Sequence, residues 1–213
     1  MDRYVVGYDP GGNGQHGVAR VRVVRGQPVE ADEPATCKTA QDALEWTMSA
    51  GVPIGIGIDT LTAWSTGEAG WRPADLYLRR SYPRVKDSVM APNGLRGSMI
   101  TNGLLVARHV RERGRREGVD VVLSEAHPKV LYYASTGRLY DYDGNSVSMD
   151  AALSGWLGFE VTTRDSNQWD AFASAYAVLQ GIEQLWTRDL HQVASERGET
   201  LWHPAGSSHY FWP

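Results

Sequence analysis

Three short apolar runs in this chain each end on a carboxylate. They are Tyr4-Val5-Val6-Gly7-Tyr8-Asp9, Ile54-Gly55-Ile56-Gly57-Ile58-Asp59 and Val119-Asp120-Val121-Val122-Leu123-Ser124-Glu125. Runs of this length and character are strands, and strands without strict alternation are buried on both faces. A carboxylate at the tip of a buried strand is costly, because desolvation and neighbouring acids both oppose its ionisation. Something has to hold such a group, and a hard divalent cation is a common partner.

The order of elements restricts how these strands assemble. Arg3 to Asp9 is the first strand, and Pro10-Gly11-Gly12-Asn13-Gly14-Gln15 is a turn-rich loop. His16 to Arg25 alternates as an antiparallel strand, and Val29 to Thr36 follows the turn Gly26-Gln27-Pro28 as a third. Thr39 to Ser49 changes to helical period, with Thr39 as N-cap. Pro53 to Asp59 then reads as a buried strand parallel to the first. Residues from about 61 to 96 form an irregular insertion containing Trp64, Trp71 and several arginines. A helix from Ser98 to Glu117, a strand from Val119 to Ser124, a helix opened by Pro128, a loop from Thr136 to Asn145 and a short helix from Met149 to Leu157 come next. The last long helix, Trp169 to about Trp186, follows a capping box made by Asp165 and Gln168. Its Asp170, Ser174, Ala177 and Gly181 lie near one line, so a stripe of small residues behind an acid allows close approach to a sheet. An aromatic tail from about 199 to 213 closes the chain and is expected to pack back on the domain or on a partner. The sum is an α/β fold: a mixed five-stranded sheet, three antiparallel strands then two parallel, with helices on both faces.

Bulk properties exclude several classes. The 213 residues are read as one domain, 1–213, with 42% hydrophobic and 22% charged residues and a net charge of −4. No global cationic field marks a nucleic-acid binder, although a local patch remains open. One cysteine, Cys37, rules out a disulfide framework and a CxxC metal site. Met1-Asp2-Arg3 runs straight into a strand, unlike a signal peptide, and no apolar run approaches the ~18 residues of a membrane span. The expected setting is cytoplasmic, without a membrane partner.

The residues Val6-Gly7-Tyr8-Asp9, Gly57-Ile58-Asp59, Glu125-Ala126-His127-Pro128 and Asp170-Ala171-Phe172-Ala173-Ser174-Ala175, in this order, resemble the ribonuclease-H-like superfamily. More closely, they look like the predicted nucleases of domain of unknown function family 429. The resemblance implies a ribonuclease-H-like fold and an acidic cluster that binds two divalent ions, Mg2+ or Mn2+, and cuts phosphodiester bonds. It implies Asp9, Asp59, Glu125 and Asp170 as catalytic residues and metal ligands. The chain departs from that family at Thr60-Leu61-Thr62, where a proline turn is usual. It departs again at Asn167, which takes the place of an acid three residues before Asp170.

Substrate contacts have several candidates. Gly11 and Gly12 can cradle a phosphate with backbone amides, or simply make a hairpin turn. His127 can orient water or a phosphate oxygen, or pack beside Pro128. Arg72, Arg79 and Arg80 lie beside Trp71 and Tyr77, a mixture suited to stacking bases and holding phosphates. The arginines from Arg108 to Arg116, with Lys129 and Arg138 further on, form the main cationic concentration, but Glu112 and Glu117 interrupt it and a solvated helix face explains it more simply. His16 reads as structural, and His203 and His209 are too loosely spaced for a zinc site. The expected partner is nucleic acid or a small phosphoester, with no preference among DNA, RNA and small esters. Two other readings stand beside the nuclease: a nucleotide- or phosphate-binding module without hydrolysis, and a non-enzymatic assembly protein using its aromatic tail.

Overall fold

The computed structural model describes residues 3–12, 14–65, 70–95, 97–192 and 200–213. Met1-Asp2, Asn13 of the glycine loop, 66–69 and 96 of the insertion, and 199 at the start of the tail lie outside the described residues. In chain order the strands are β1 (Arg3–Asp9), β2 (His16–Val24), β3 (Gln27–Ala31), β4 (Ala35–Cys37), β5 (Gly55–Ile58), β6 (Trp64–Ser65), β7 (Val122–Glu125), β8 (Arg188–Asp189), β9 (Leu201–Trp202) and β10 (Phe211–Trp212). The helices are α1 (Ala40–Met48), α2 (Pro73–Ser81), α3 (Gly97–Glu117), α4 (Pro128–Thr136), α5 (Tyr142–Leu157) and α6 (Ser166–Ile182).

The central sheet runs β3-β2-β1-β5-β7. β1, β2 and β3 are antiparallel neighbours, whereas β5 and β7 continue parallel to β1. Helices cover both faces, as the order of elements predicts. The expected single third strand is broken in two at Asp32-Glu33-Pro34, where proline removes a donor, and β4 pairs separately with the start of β2.

Side-chain alternation sorts the two faces. Tyr4, Val6 and Tyr8 of β1 join Ile56, Ile58 and Leu123 in a core beneath α1 and α3. Val5, with Ala19 and Val21 of β2, faces α5 and α6. Gly7 and Gly57 share this second face and form the floor on which α6 rests. A Cβ on Gly7 would lie 1.6 Å from the carbonyl oxygen of Ala171, and one on Gly57 1.9 Å from that of Ser174. The small-residue stripe of α6 thus serves its expected purpose up to Ser174. Gly181, farther along, accommodates Phe211 of the tail instead of the sheet.

Local signals fix the helix ends. Thr39 caps α1 with both bonds of a capping box, to and from Asp42. Asp165 caps α6 by accepting from the Gln168 amide at 3.0 Å. The Gln168 side chain turns instead to the Arg164 amide and Thr36, so only half of the expected box forms. Helix α5 begins at Tyr142, earlier than expected, capped by Asp141 and kinked at Asn145. The insertion is less irregular than its composition suggests, since it contains α2 and two 3-10 turns, Pro83–Ser88 and Pro92–Gly94. The tail packs back on the molecule. β9 pairs with β6, β10 pairs with β8, and His209 bridges to Ser124 alongside the outer edge of β7. No helix among the described residues is long and apolar enough to cross a membrane.

Candidate metal centre

Parity places the first two acids together. β1 and β5 pair in register with Gly7 beside Gly57 and Tyr8 beside Ile58, so Asp9 and Asp59 follow side by side. Both lie two residues beyond a floor glycine and therefore turn toward the face covered by α6. Asp170 stands on α6 one turn before Ser174, which rests on Gly57, and so overhangs the same strand tips. Asp9 and Asp170 are 6% and 5% exposed, and Asp59 is half-buried at the mouth.

These three carboxylates lack close neutralising partners among the described residues. Burial, reinforced by Asp170 and Asp59, holds the Asp9 carboxyl well above the usual range. Burial also raises Asp170, with Asp59 adding to it. Burial pushes Asp59 up to about 7, against the relieving charge of Lys129. Oδ1 of Asp170 is buried with no hydrogen bond of ordinary geometry, and the nearby Tyr140 hydroxyl only partly offsets the cost of its charge. An all-oxygen donor set of this kind suits Mg2+ or Mn2+. As the side chains stand, no group of three or more His, Cys, Asp or Glu among the described residues is gathered closely enough to ligate one ion. The acids form an electrostatically coupled group, not a closed coordination shell.

Glu125 is placed differently, and alternation again gives the reason. It pairs with Ile58, not with Asp59, and shares the parity of Leu123 on the α3 face. There it meets Arg72, whose Nη1 donates to Oε2 at 2.7 Å and whose Nη2 donates to Oε1 at 2.5 Å. The Thr62 amide adds a bond at 2.9 Å. Burial alone would raise the Glu125 carboxyl, but the Arg72 guanidinium overrides it and holds it at about 2. The structure therefore gives Glu125 an ionic partner that the other three acids lack, while its charge still reaches Asp59 across the cleft that both line.

Arg72 is correspondingly withdrawn from substrate. It is 1% exposed, and its five N–H groups are divided among Glu125, Asp75 and the Ala63 carbonyl. Arg79 stacks over Trp71 and donates to the Lys86 and Val89 carbonyls, so it braces the 3-10 turns. Arg80 is exposed at the end of α2. Gly11 is buried where the loop doubles back, since a Cβ there would lie 2.0 Å from the Gln15 carbonyl oxygen; Gly12 beside it is half-buried. That close approach accounts for Gly11 as part of a turn. His127 precedes α4 and its Nε2 lies 3.2 Å from the Ser88 carbonyl, while its buried Nδ1 has no partner. Burial lowers this imidazole to about 4, so it is neutral at pH 7.

Sequence reasoning set Lys129 aside with the cationic run and passed over Tyr140. Lys129, exposed on the first turn of α4, is the cation whose field relieves Asp9, Asp59 and Asp170 alike. Its ammonium lies over the Tyr140 ring, 5.4 Å from the centroid. Tyr140 stands beside Asp170, and burial next to that acid raises its phenol strongly. The available signal was spacing: Lys129 comes four residues after a strand-end acid, just inside a helix start. Asp59, His127 and Lys129 also line a cleft of about 410 Å3, together with residues of the 3-10 turns and the start of α3.

No protein-family model matches the chain. No curated protein matches it either. Among solved structures, Thermus thermophilus RuvC is similar at 15% identity, with a TM-score of 0.43, covering 98% of this chain and 99% of that one. Thermus thermophilus RuvC in complex with a Holliday junction substrate is similar at 15% identity, with a TM-score of 0.47, covering 85% and 96%.

Proposed function

We propose that this protein is a divalent-metal-dependent nuclease whose ion is held by Asp9, Asp59 and Asp170. One observation carries the reading: three buried or half-buried carboxylates, brought from two strands and a helix, share one site without a close cationic partner. Such an arrangement is repulsive unless it is protonated or bridged by a cation. A bound Mg2+ or Mn2+ supplies charge stabilisation and an acidified water for phosphodiester hydrolysis. Asp9 and Asp59 orient the site from rigid strand ends, and Asp170 closes it from α6. Lys129 offers a phosphate-binding ammonium at the rim. Glu125 positions the insertion through Arg72 instead of ligating the ion. Closer kinship with family 429 rests on the strand-end motifs quoted above and belongs to this same proposal.

The test is cleavage of labelled DNA and RNA in manganese, with chelator and Asp9→Asn as controls. Metal-dependent cutting that is lost in Asp9→Asn supports the proposal. Cutting that survives the variant, or no manganese-dependent thermal shift in the native chain, removes it.

A further inference from the structure

The cleft beside Asp59 is not needed to hold an ion, and its shape and lining call for a ligand of their own. Its volume of about 410 Å3 lies near the low end of the ~300–1,000 Å3 typical of small-molecule sites. Its apolar lining includes Val89, Met90 and Met99. Methionine adapts to flat polarisable rings. Its polar lining includes Asp59, His127 and Lys129. His127 donates from Nε2 to the Ser88 carbonyl, which fixes its ring at the edge of the cleft. Asp59 and Lys129 belong both to this cleft and to the acid site, so a phosphate between them would stand next to a group seated in the cleft.

The arginine run on α3 offers no track for an intact duplex at this site. Duplex binding depends on a stripe of cations that tracks phosphates. The arginine run on α3 lies at the wrong end of the sheet. Gly114, within that run, packs on Val121 and Val52, ahead of β7 and β5, whereas Gly103 packs on Thr60 near the acid end. Arg108 and Arg113 are also paired with Glu112 and Glu117, and Arg111 with the Ser207 carbonyl.

We propose that this cleft receives one unpaired nucleobase, so that the substrate of the acid site is a single-stranded or extruded nucleotide and not a continuous duplex. The inference rests on the nuclease reading for the role of the neighbouring acids, but base seating can be measured without catalysis. A base inside a duplex presents no free face, and extrusion costs a few kcal/mol that an unpaired strand avoids.

The experiment is fluorescence anisotropy with a labelled single strand and the blunt duplex of the same sequence, using the Asp9→Asn chain so that nothing is cut. The single strand is expected to bind about tenfold tighter or more, a difference of about 1.4 kcal/mol. Met90 is 46% exposed, so Met90→Asp should fold and should abolish most of that preference. Met99→Trp, which fills the cleft, is the second variant and should do the same. Equal or tighter duplex binding overturns the inference, as does single-strand binding unchanged in both variants. Preference without any cutting by the native chain would remove the nuclease reading alone. Cutting without preference would remove the cleft assignment alone.

Discussion

Asp59 ties the chemistry of the site to stability. Its carboxyl is raised from 3.8 to about 7, so the folded chain keeps a proton that the unfolded chain has released. Metal-free stability should therefore fall as pH rises from about 4 to about 7. Thermal melts across that window check the sign. Asp170→Asn removes one of the mutually repelling charges and should raise the metal-free melting temperature at pH 8, by roughly 2–4 °C for each kcal/mol regained. The same variant should lose the manganese-induced shift. In the native chain that shift should be larger at pH 8 than at pH 5, because the ion must displace protons. Arg72 is the opposite case. Arg72→Met strands Glu125 and Asp75 in the interior and should cost about 3–5 kcal/mol in denaturant melts. Since Glu125 is held at about 2, the stability it contributes is present above ~4.3 and is lost as pH falls toward 2. Which acids converge was partly written in the chain. Asp9 and Asp59 each follow a glycine by two positions, whereas Glu125 follows Leu123. A small residue two places back marks the face on which α6 rests, and its absence before Glu125 signals the α3 face. The partnership with Arg72 spans 53 residues and had no local signature.

Among the elements, α6 was the most legible and the insertion the least. The acid followed by small residues in α6 anticipated its seating on Gly7 and Gly57, because close approach needs missing side chains on both partners. The insertion hid α2 because Arg72-Pro73 and the nearby glycines look like loop chemistry, yet Pro73 sits in the first turn where proline is tolerated. Helix α5 was cut short for the same reason, since Gly144-Asn145 reads as a turn. Glycines supply a direct contrast in stability. Gly7→Ala or Gly57→Ala must lift α6 off the sheet and should cost more than the ~1–3 kcal/mol of ordinary overpacking. Gly155, exposed within α5, has nothing within 4 Å of its would-be Cβ, so Gly155→Ala should stabilise by about 0.5–1 kcal/mol. Chemical denaturation of both variants beside the native chain measures the contrast.

At the scale of the whole molecule, the tail does more than pack. The Glu125 amide donates to the His209 carbonyl at 2.8 Å, and the His209 amide donates to the Leu123 carbonyl at 2.9 Å. Ser208 bonds to Thr62, which itself bonds to Glu125. Tyr210 and Trp212 are almost fully enclosed. The last residues are thus joined to the ion pair under the insertion, a link between sequence-distant segments that no local pattern announces. A strand that ends a sheet carries a ladder of unsatisfied amides and carbonyls, and an unrelated chain can zip onto it. His209 acts here as a selvedge: it finishes the fabric where β7 would otherwise fray into intermolecular pairing. A chain shortened before Thr200 should consequently self-associate, and light scattering should report the growth even where the shortened protein keeps its helical signal.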